Sequence, residues 1–259
     1  MNSKISFQDV VKSFPLKDTE FTALDGVSLD IAEEEFVTVV GPSGCGKSTL
    51  LGMAAGLQEP TSGRVLVDGR QVTGPGPDRG VIFQQYALFP WLTVRQNVEF
   101  GLRLAGVPAA ERHRRAGRAI ALVGLDEFAD ALPKTLSGGM KQRCAIARAY
   151  AVDPQVLLMD EPFGALDALT RVQLQEQLLA TWSRERRTVL FITHDVDEAV
   201  HLAGRVVVMA ARPGRIHRVV DVDLPYPRTE EIRLSAEFRK IRNTVWTSVY
   251  HQEPAAPAA

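Results

Sequence analysis

Three short apolar runs stand out in the hydrophobic pattern of the chain. They are FVTVV at 36–40, VLLM at 156–159 and VLFI at 189–192, and each is followed at once by a Gly, Asp or Thr. Because these runs alternate with longer helical patterns, they predict strands that are buried on both faces of a parallel sheet. We therefore expect an α/β fold with a parallel-sheet core.

The N-terminal part of the chain has a different pattern. Residues 5–11, 27–31 and 64–67 are strand-like, but they are separated by turn signals such as Asp68-Gly69 instead of helices. This pattern predicts a small antiparallel sheet beside the main one.

The segment at about 92–150 has the spacing of amphipathic helices. Its apolar residues include an i, i+3, i+4, i+7 stripe at Ala116, Ala119, Ile120 and Val123. The segment predicts a helical subdomain that is inserted into the α/β core.

Helical spacing returns near the C-terminus, where four apolar residues share one helical face: Phe238, Ile241, Val245 and Val249. We expect a main domain over residues 1–227 and a C-terminal helical extension at 228–251. The residues at 252–259 are mostly Pro and Ala, and we expect them to form a disordered tail.

Charge and cysteine content narrow the functional classes. The 259 residues include 30 Lys and Arg against 31 Asp and Glu, which excludes bulk attraction to nucleic acid or an anionic bilayer. Cys45 and Cys144 are too few for a disulfide framework and indicate a reducing compartment. We find no signal-peptide pattern and no run of the roughly 20 apolar residues that span a bilayer. A function at a membrane would therefore need another chain to supply the span.

The segment GPSGCGKS at 41–48 follows a predicted strand and opens a helix, as a phosphate-binding loop requires. Its glycines let backbone N–H groups point inward, and the positive end of the helix continues this anion nest. Lys47 adds a positive charge at the β- and γ-phosphates, and Ser48 offers a hydroxyl to Mg²⁺. A plain glycine-rich turn is the weaker alternative. The expected nucleotide contacts are Gly41, Pro42, Ser43, Gly44, Cys45, Gly46, Lys47, Ser48 and Thr49.

Two adjacent carboxylates follow the apolar run at 156–159. Asp160 is placed to hold Mg²⁺ at a strand end, and Glu161 to accept a proton from the attacking water. His194 follows the next run, so a doubly wound sheet would bring it to the same edge as Gly41, where it could contact the γ-phosphate. Such carboxylates are often ordinary turn residues, and a histidine after a strand is usually structural. The phosphate-binding loop in the same chain favours the catalytic interpretation.

A second glycine motif, LSGGMKQR at 136–143, identifies the family. Together with the phosphate-binding loop, the two carboxylates, Gln84, Asp167 and His194, it resembles the ATP-binding subunit of ABC transporters across nearly the whole chain. The resemblance implies a P-loop NTPase fold of the ABC ATPase type, with a RecA-like parallel-sheet core, an antiparallel β subdomain and an inserted α-helical subdomain. It also implies an ATPase that binds ATP and Mg²⁺.

The residue types of the second motif also favour anion binding at a helix start. Ser137 is a good N-cap, and Gly138 and Gly139 leave the first helical turn bare, so the helix offers free N–H groups to an anion. The resemblance implies a head-to-tail homodimer in which Ser137, Gly138, Gly139 and Met140 of one chain cover the ATP held by Lys47 of the other. Met140 stands where the family most commonly has Gln, and a thioether cannot replace the hydrogen bonds of an amide.

The resemblance implies three further roles. Gln84 is expected to reach the metal and the attacking water, Asp167 to contact the partner chain, and Phe14 to stack on adenine. An aromatic near the end of a first strand is as often a core residue, and Phe21 lies close enough to compete with Phe14.

The closer likeness is to one branch of bacterial importers. FPW at 89–91, MAARPGRI at 209–216 and Met140 resemble the branch for nitrate, sulfonate and taurine. The branch implies a peripheral subunit at the cytoplasmic face of the inner membrane, bound to transmembrane permease subunits that a periplasmic solute-binding protein supplies. The apolar loop around Gln84 is then expected to receive a permease helix, with an ordinary core corner as the alternative. The transported solute stays open.

Two other functional classes fit less well. A soluble ABC-type ATPase that acts on nucleic acid or the ribosome would have two cassettes or a long coiled coil, and this chain has neither. A small-molecule kinase with a phosphate-binding loop would not explain residues 136–140. The basic cluster at 112–118 is best interpreted as a solvated helix face, so no nucleic-acid partner is expected.

Overall fold

The computed structural model describes residues 3–17, 19–164 and 166–251, so the predicted tail at 252–259 lies outside the described residues. The chain divides into two compact units. The first unit comprises the described residues up to Pro75 and from Glu185 onward, and the second comprises Gly76–Arg184. The domain boundaries expected from the sequence stay predictions.

The strands of the described residues are, in chain order, β1 (Ser3–Leu16), β2 (Thr19–Ala32), β3 (Phe36–Val40), β4 (Ser62–Val67), β5 (Arg70–Gln71), β6 (Arg79–Ile82), β7 (Val156–Asp160), β8 (Thr188–Ile192), β9 (Arg205–Ala210) and β10 (Arg215–Asp221). The α-helices are α1 (Lys47–Ala54), α2 (Val94–Leu104), α3 (Ala109–Leu122), α4 (Gly138–Ala151), α5 (Ala168–Glu185), α6 (Val196–Leu202), α7 (Glu230–Leu234) and α8 (Ala236–Tyr250). Short 3-10 helices lie at Asp126–Phe128 and Pro133–Thr135. Within residues 3–17, 19–164 and 166–251, no helix has both the length and the apolar character of a membrane span.

The antiparallel sheet of the first unit has the strand order β2-β1-β4-β5. Ile5 of β1 lies opposite Ile31 of β2 on one side and Val67 of β4 on the other, and all three side chains are buried. Such cross-strand apolar pairs fix the register of a sheet. The predicted small antiparallel sheet is confirmed.

The first unit also contains the neighbouring strands β10, β9, β3 and β8 in this order. β3 pairs in parallel with both β8 and β9, and every residue of β3 and β8 is buried. The prediction of strands buried on both faces is therefore confirmed for these two runs. Because β3 and β8 are parallel, the residues that follow them, Gly41 and Thr193, leave the sheet at the same edge.

The C-terminal helices pack on the first unit itself. α8 contacts α6, β9 and β10, and its residues Phe238 and Val245 are buried. Arg228, which precedes α7, is also buried: it donates to the carbonyl oxygen of Ala203 at 3.1 Å and lies 4.3 Å above the ring of Tyr226. The apolar stripe of the C-terminal extension is thus a face that packs on the chain's own core.

The second unit contains the parallel pair β6 and β7 and a group of helices. The sequence pattern did not predict β6, whose Gly80 packs so closely that an added Cβ would lie 2.8 Å from Cγ of Pro154. Helices α2, α3 and α4 pack on one another, with Val98, Leu102 and Ile120 buried. They lie within the segment for which the sequence predicts a helical subdomain.

Candidate functional site

The phosphate-binding loop joins β3 to α1 in the first unit. Gly44 and Gly46 have φ angles of 78° and 89°, in the left-handed region that glycine adopts without strain. A Cβ on Gly46 would lie 2.5 Å from Cδ2 of Leu24, and one on Gly41 would lie 2.7 Å from the carbonyl oxygen of Met209. The loop is therefore packed so tightly that Gly41 and Gly46 have no room for a side chain.

Lys47, the first residue of α1, has a buried side chain. Its Nζ donates to the carbonyl oxygens of Gly41 at 2.8 Å and Pro42 at 3.1 Å, and it lies 3.8 Å from Sγ of Cys45. Burial raises the pKa of the Cys45 thiol, so this partner stays neutral. In the described ranges no carboxylate pairs with Lys47. Because no carboxylate occupies it, this Nζ group can serve as a donor to an anion, which fits the phosphates of a nucleotide.

Two serine hydroxyls of the phosphate-binding segment are at the surface. Ser43 lies in the loop and Ser48 in the first turn of α1, and both are exposed, while Thr49 is half-buried. The hydroxyl of Ser48 is thus accessible from solvent beside the buried Lys47. These positions are where the sequence places phosphate and metal contacts, and the roles stay predictions.

His194 lies at the same edge of the first unit as the phosphate-binding loop. Ile192 of β8 is opposite Val39 of β3, and the N–H of Thr193 donates to the carbonyl oxygen of Val39 at 3.2 Å. His194 follows with an exposed side chain, whereas Thr193 is buried. The parallel register therefore brings His194 to the edge where the sequence predicts it.

A second group of predicted residues meets in the second unit. Ile82 of β6 lies opposite Met159 of β7, and Gln84 and Glu161 each follow two residues later. The amide Nε2 of Gln84 donates to Oε2 of Glu161 at 3.0 Å. Glu161 has a φ of 43°, a left-handed conformation that costs a residue with a Cβ about 1–3 kcal/mol. The half-buried Asp160, the last residue of β7, lies next to this pair.

The second glycine motif forms the start of α4. Ser137 is the N-cap, and its hydroxyl accepts a hydrogen bond from the N–H of Met140 at 3.3 Å. In the described parts of the chain, the N–H groups of Gly138 and Gly139 have no recorded acceptor. Two bare N–H groups therefore lie at the positive end of a 14-residue helix. The N–H of Met140 is already used by the cap, so the two glycines are the N–H donors of this turn.

Asp167 has a structural partner in the second unit. One of its carboxylate oxygens, Oδ1, accepts a hydrogen bond from the N–H of Thr170 at 2.9 Å, at the start of α5. This hydrogen bond holds the pKa of the Asp167 carboxyl below its usual range. Asp167 is exposed, so the contact with a partner chain stays a prediction beside its observed role at the helix start.

Phe14 and Phe21 lie directly opposite each other on β1 and β2. Phe14 is half-buried with Nζ of Lys12 5.1 Å from its ring centroid, and Phe21 is exposed. The two rings that compete for the adenine contact thus belong to one hairpin. The assignment to Phe14 stays a prediction.

An apolar corner, residues 83–92, lies between β6 and α2. Phe83 is 36% exposed and Trp91 is 72% exposed. Phe89 lies 5.8 Å from Trp91 and 4.3 Å from Phe100, measured between ring centroids. The corner is therefore only partly buried, because its largest side chain, that of Trp91, is exposed to solvent.

Sequence reasoning missed Asn97, which holds this corner in place. Its buried amide accepts from the N–H of Phe89 at 2.8 Å and donates to the carbonyl oxygens of Phe89 at 3.2 Å, Leu92 at 2.9 Å and Thr93 at 2.9 Å. A single asparagine in a helix pattern gives no sign of such a role. An asparagine four residues after the cap residue Thr93 is the only sequence signal that could have suggested it.

The chain thus contains three features of an ATP-binding cassette: a phosphate-binding loop, an acidic strand end and a serine-capped glycine helix. The family model "ABC transporter" matches residues 24–164, and the chain belongs to this family. It has the ABC ATPase cassette fold and is an ATP-binding subunit with ATPase activity.

Relatives that match over nearly the full chain include three proteins from different bacteria. A Brucella abortus (strain 2308) protein, named only as an ATP-binding protein, is 68% identical over 254 residues, which are 98% of this chain and 96% of the relative. The nitrate import ATP-binding protein NrtD of Synechocystis is 50% identical over 247 residues, or 93% of each chain. The aliphatic sulfonates import ATP-binding protein SsuB of Bacillus cereus (strain ZK / E33L) is 45% identical over 241 residues, or 93% of this chain and 94% of SsuB.

Among solved structures, the dimeric structure of MJ0796, a bacterial ABC transporter cassette, is similar at a TM-score of 0.77 and 34% identity. The match covers 85% of this chain and 100% of MJ0796.

Proposed function

We propose that this chain hydrolyses ATP to drive import of a small oxyanion of the nitrate or sulfonate class. It works as a head-to-tail homodimer on the cytoplasmic face of the membrane, bound to permease subunits that a solute-binding protein supplies. The names of NrtD and SsuB, which refer to nitrate and aliphatic sulfonate import, support the solute class, and the dimeric MJ0796 structure supports the dimer.

One observation carries the proposal: the chain has two separate anion-binding elements, and both suit a phosphate group. Lys47 and the loop glycines already form a phosphate cradle, and the capped start of α4 leaves the N–H groups of Gly138 and Gly139 for another anion contact. One phosphate chain needs only one cradle. In a head-to-tail dimer both anion-binding elements are used, because α4 of each chain covers the nucleotide that the phosphate-binding loop of the other chain holds.

The donor atoms also suit Mg²⁺, which prefers oxygen ligands. Ser48 would supply a hydroxyl, Asp160 a carboxylate and Gln84 an amide oxygen. Since Nε2 of Gln84 is the atom that donates to Glu161, the Oε1 atom remains for a metal. When bound, the ion would neutralise charge on the β- and γ-phosphates.

Hydrolysis then follows from the roles of the acidic and amide side chains. Glu161 accepts the proton of the attacking water, and the amide of Gln84 orients the Glu161 carboxylate through its hydrogen bond. Lys47 and His194 stabilise the negative charge that develops on the γ-phosphate. Loss of the γ-phosphate removes the anion that joins Lys47 of one chain to Ser137 of the other, so the dimer opens.

The apolar corner connects this cycle to transport. Phe83 and Trp91 are exposed within ten residues of Gln84, and such apolar exposure is typical of a docking surface. A helix of the permease that docks there would follow the movement of the Gln84 loop.

A mixed dimer tests the shared sites. Lys47→Ala and Ser137→Arg chains, each with its own affinity tag, are co-purified so that one of the two composite sites keeps both Lys47 and Ser137. We expect ATP-dependent dimerisation and ATPase activity in the mixture, while each variant alone has neither. A mixture that neither dimerises with ATP nor hydrolyses it contradicts the head-to-tail arrangement.

The solute class is tested in proteoliposomes that contain the chain, its permease and its solute-binding protein. Nitrate and an alkanesulfonate are compared, with a neutral sugar as control. We expect one of the two anions to stimulate ATP hydrolysis, and stimulation by the sugar alone contradicts the proposed class.

A further inference from the structure

A single guanidinium in the second unit joins the helix of the second glycine motif to the loop that contains Gln84. Arg148 lies in the last turn of α4. Its Nη1 donates to the carbonyl oxygen of Ala87 at 2.5 Å, and its Nη2 donates to the carbonyl oxygen of Tyr86 at 3.3 Å. Both acceptors are backbone atoms within three residues of Gln84.

These carbonyls are the recorded hydrogen-bond partners of Arg148. In residues 3–17, 19–164 and 166–251, no carboxylate forms a salt bridge with it. Burial raises the pKa of the neighbouring Cys144 to about 12, so this thiol stays neutral and cannot balance the guanidinium. Hydrogen bonds from a charged donor are roughly twice as strong as neutral ones, and the positive charge is directed to the loop backbone.

The loop itself needs such support. Ala87 has a φ of 47°, a left-handed conformation that a residue with a Cβ rarely adopts without help from its surroundings. At the other end of α4, the hydroxyl oxygen of Tyr86 lies 3.1 Å from the position that a Cβ on Gly138 would take. The same short loop therefore lies against both ends of α4.

We propose that Arg148 is a positioning residue, which makes the Gln84 loop move together with α4. A chain of contacts runs from Arg148 to the Tyr86 and Ala87 carbonyls, along two residues of backbone to Gln84, and from its amide to Glu161 at 3.0 Å. When the start of α4 engages a phosphate, its displacement is passed to the amide that orients the general base. This inference rests on the roles proposed above for Gln84 and Ser137.

The first test measures how firmly Arg148 holds the loop, and it does not depend on ATP hydrolysis. Cleavage of the backbone at 84–88 by a non-specific protease is compared in wild type, Arg148→Ala and Arg148→Lys, with Arg118→Ala as an exposed control on the adjacent α3. We expect cleavage about 10-fold faster in Arg148→Ala, because losing about 1.4 kcal/mol of charged hydrogen bonding raises the population of the open loop about 10-fold. Arg148→Lys keeps one charged donor and should give an intermediate rate, and Arg118→Ala should resemble wild type. An unchanged cleavage rate in Arg148→Ala overturns the inference.

The second test measures positioning through kinetics. We expect Arg148→Ala to lower kcat about 10-fold while KM for ATP changes less than about 2-fold, and Arg148→Lys to recover part of the loss. In a Gln84→Ala background, loss of Arg148 should have little further effect, because residues that act through one another are not additive. Equal losses of kcat in both backgrounds, or faster cleavage at 84–88 with unchanged kcat, refute the positioning role of Arg148.

The two tests also separate this inference from the proposed function. If Gln84→Ala alone leaves kcat unchanged, the proposed role of Gln84 is wrong, whereas the cleavage rate at 84–88 still reports whether Arg148 holds the loop.

Discussion

In the first unit the parallel strands β3 and β8 lead into the phosphate-binding loop and His194, while in the second unit β6 and β7 lead into Gln84 and Glu161. The two edges have the same geometry, but they differ in how they are held. Lys47 is only 7% exposed and has three contacts within its own loop. Gln84 and Glu161 are joined by one exposed hydrogen bond.

This difference has an energetic meaning. A buried charge whose donors are satisfied stays in place before any ligand arrives, so the first unit is prepared for phosphate. One exposed hydrogen bond contributes only about 0.5–1.5 kcal/mol, and it easily exchanges for a bond to water or substrate. Under the proposed roles, nucleotide binding depends mainly on Lys47 in the first unit, whereas turnover depends on the proposed base Glu161 and its partner Gln84 in the second unit. Substitutions in the two units should therefore separate binding from turnover.

The largest effect is expected from Glu161→Gln in the second unit. The amide keeps the size of the side chain but cannot accept the proton of the attacking water, so steady-state ATP hydrolysis should fall about 10²- to 10⁴-fold. ATP affinity should stay near that of wild type because Lys47 is intact, and the protein should accumulate as an ATP-bound dimer. ATPase assays and nucleotide binding by calorimetry measure the two quantities.

Glu127→Gln is the matched control, since Glu127 is an exposed glutamate of the same unit. It should leave both quantities unchanged. Normal turnover by Glu161→Gln would show that Glu161 is not the base. A parallel loss of ATP affinity would contradict the assignment of nucleotide binding to the first unit and of turnover to the second.

An intermediate effect is expected from Lys47→Ala in the first unit. The substitution removes a charge-assisted contact to phosphate, which is worth about 1.5–3 kcal/mol, so ATP affinity should fall about 10- to 100-fold. Calorimetric titration with ATP measures the change, and the exposed Lys240→Ala, also in the first unit, is the control. An unchanged dissociation constant for Lys47→Ala would show that the cradle is not where the phosphates bind.

The smallest effect concerns the stability of the first unit. Burial, with Arg233 and Arg228 nearby, lowers the pKa of His201 to about 4 from its ordinary 6.5. The unfolded chain therefore binds more protons than the folded chain between these values, and the free energy of unfolding should decrease as the pH falls from about 6.5 to about 4. The loss is at most about 1.4 kcal/mol per pH unit.

Urea unfolding at pH 7 and pH 5 measures this loss. His201→Gln should reduce the pH dependence, whereas the exposed His217→Gln should keep it. The same pH dependence in wild type and His201→Gln would show that His201 is not its source.

The sequence predicted the parts of the fold that depend on local pattern. The strands β3, β7 and β8 are mostly apolar, and the phosphate-binding loop contains its glycines and Lys47 within eight residues. β6 was not predicted from the sequence because its RGVI segment is short. Its Gly80 packs on Pro154, and this contact is visible only in the tertiary structure.

The candidate site was predictable as a set of residues but not as a set of contacts. Gln84 and Glu161 are 77 residues apart, and Arg148 is 61 residues from Ala87. Such hydrogen bonds depend on how strands and helices pack, and no periodicity in the chain encodes them. The helical stripe at Phe238 and Val245 was visible, but its packing partners α6, β9 and β10 were not.

The four hydrogen bonds of Asn97 have a consequence for recognition. They fix the backbone from Phe89 to Thr93, so Trp91 is presented on a bend that is already rigid. Ordering the backbone of a loop costs about 1–2 kcal/mol per residue, and here most of that cost is met when the chain folds. A partner that docks on Trp91, as proposed, would therefore meet a smaller entropic penalty because of one buried amide in the first turn of α2.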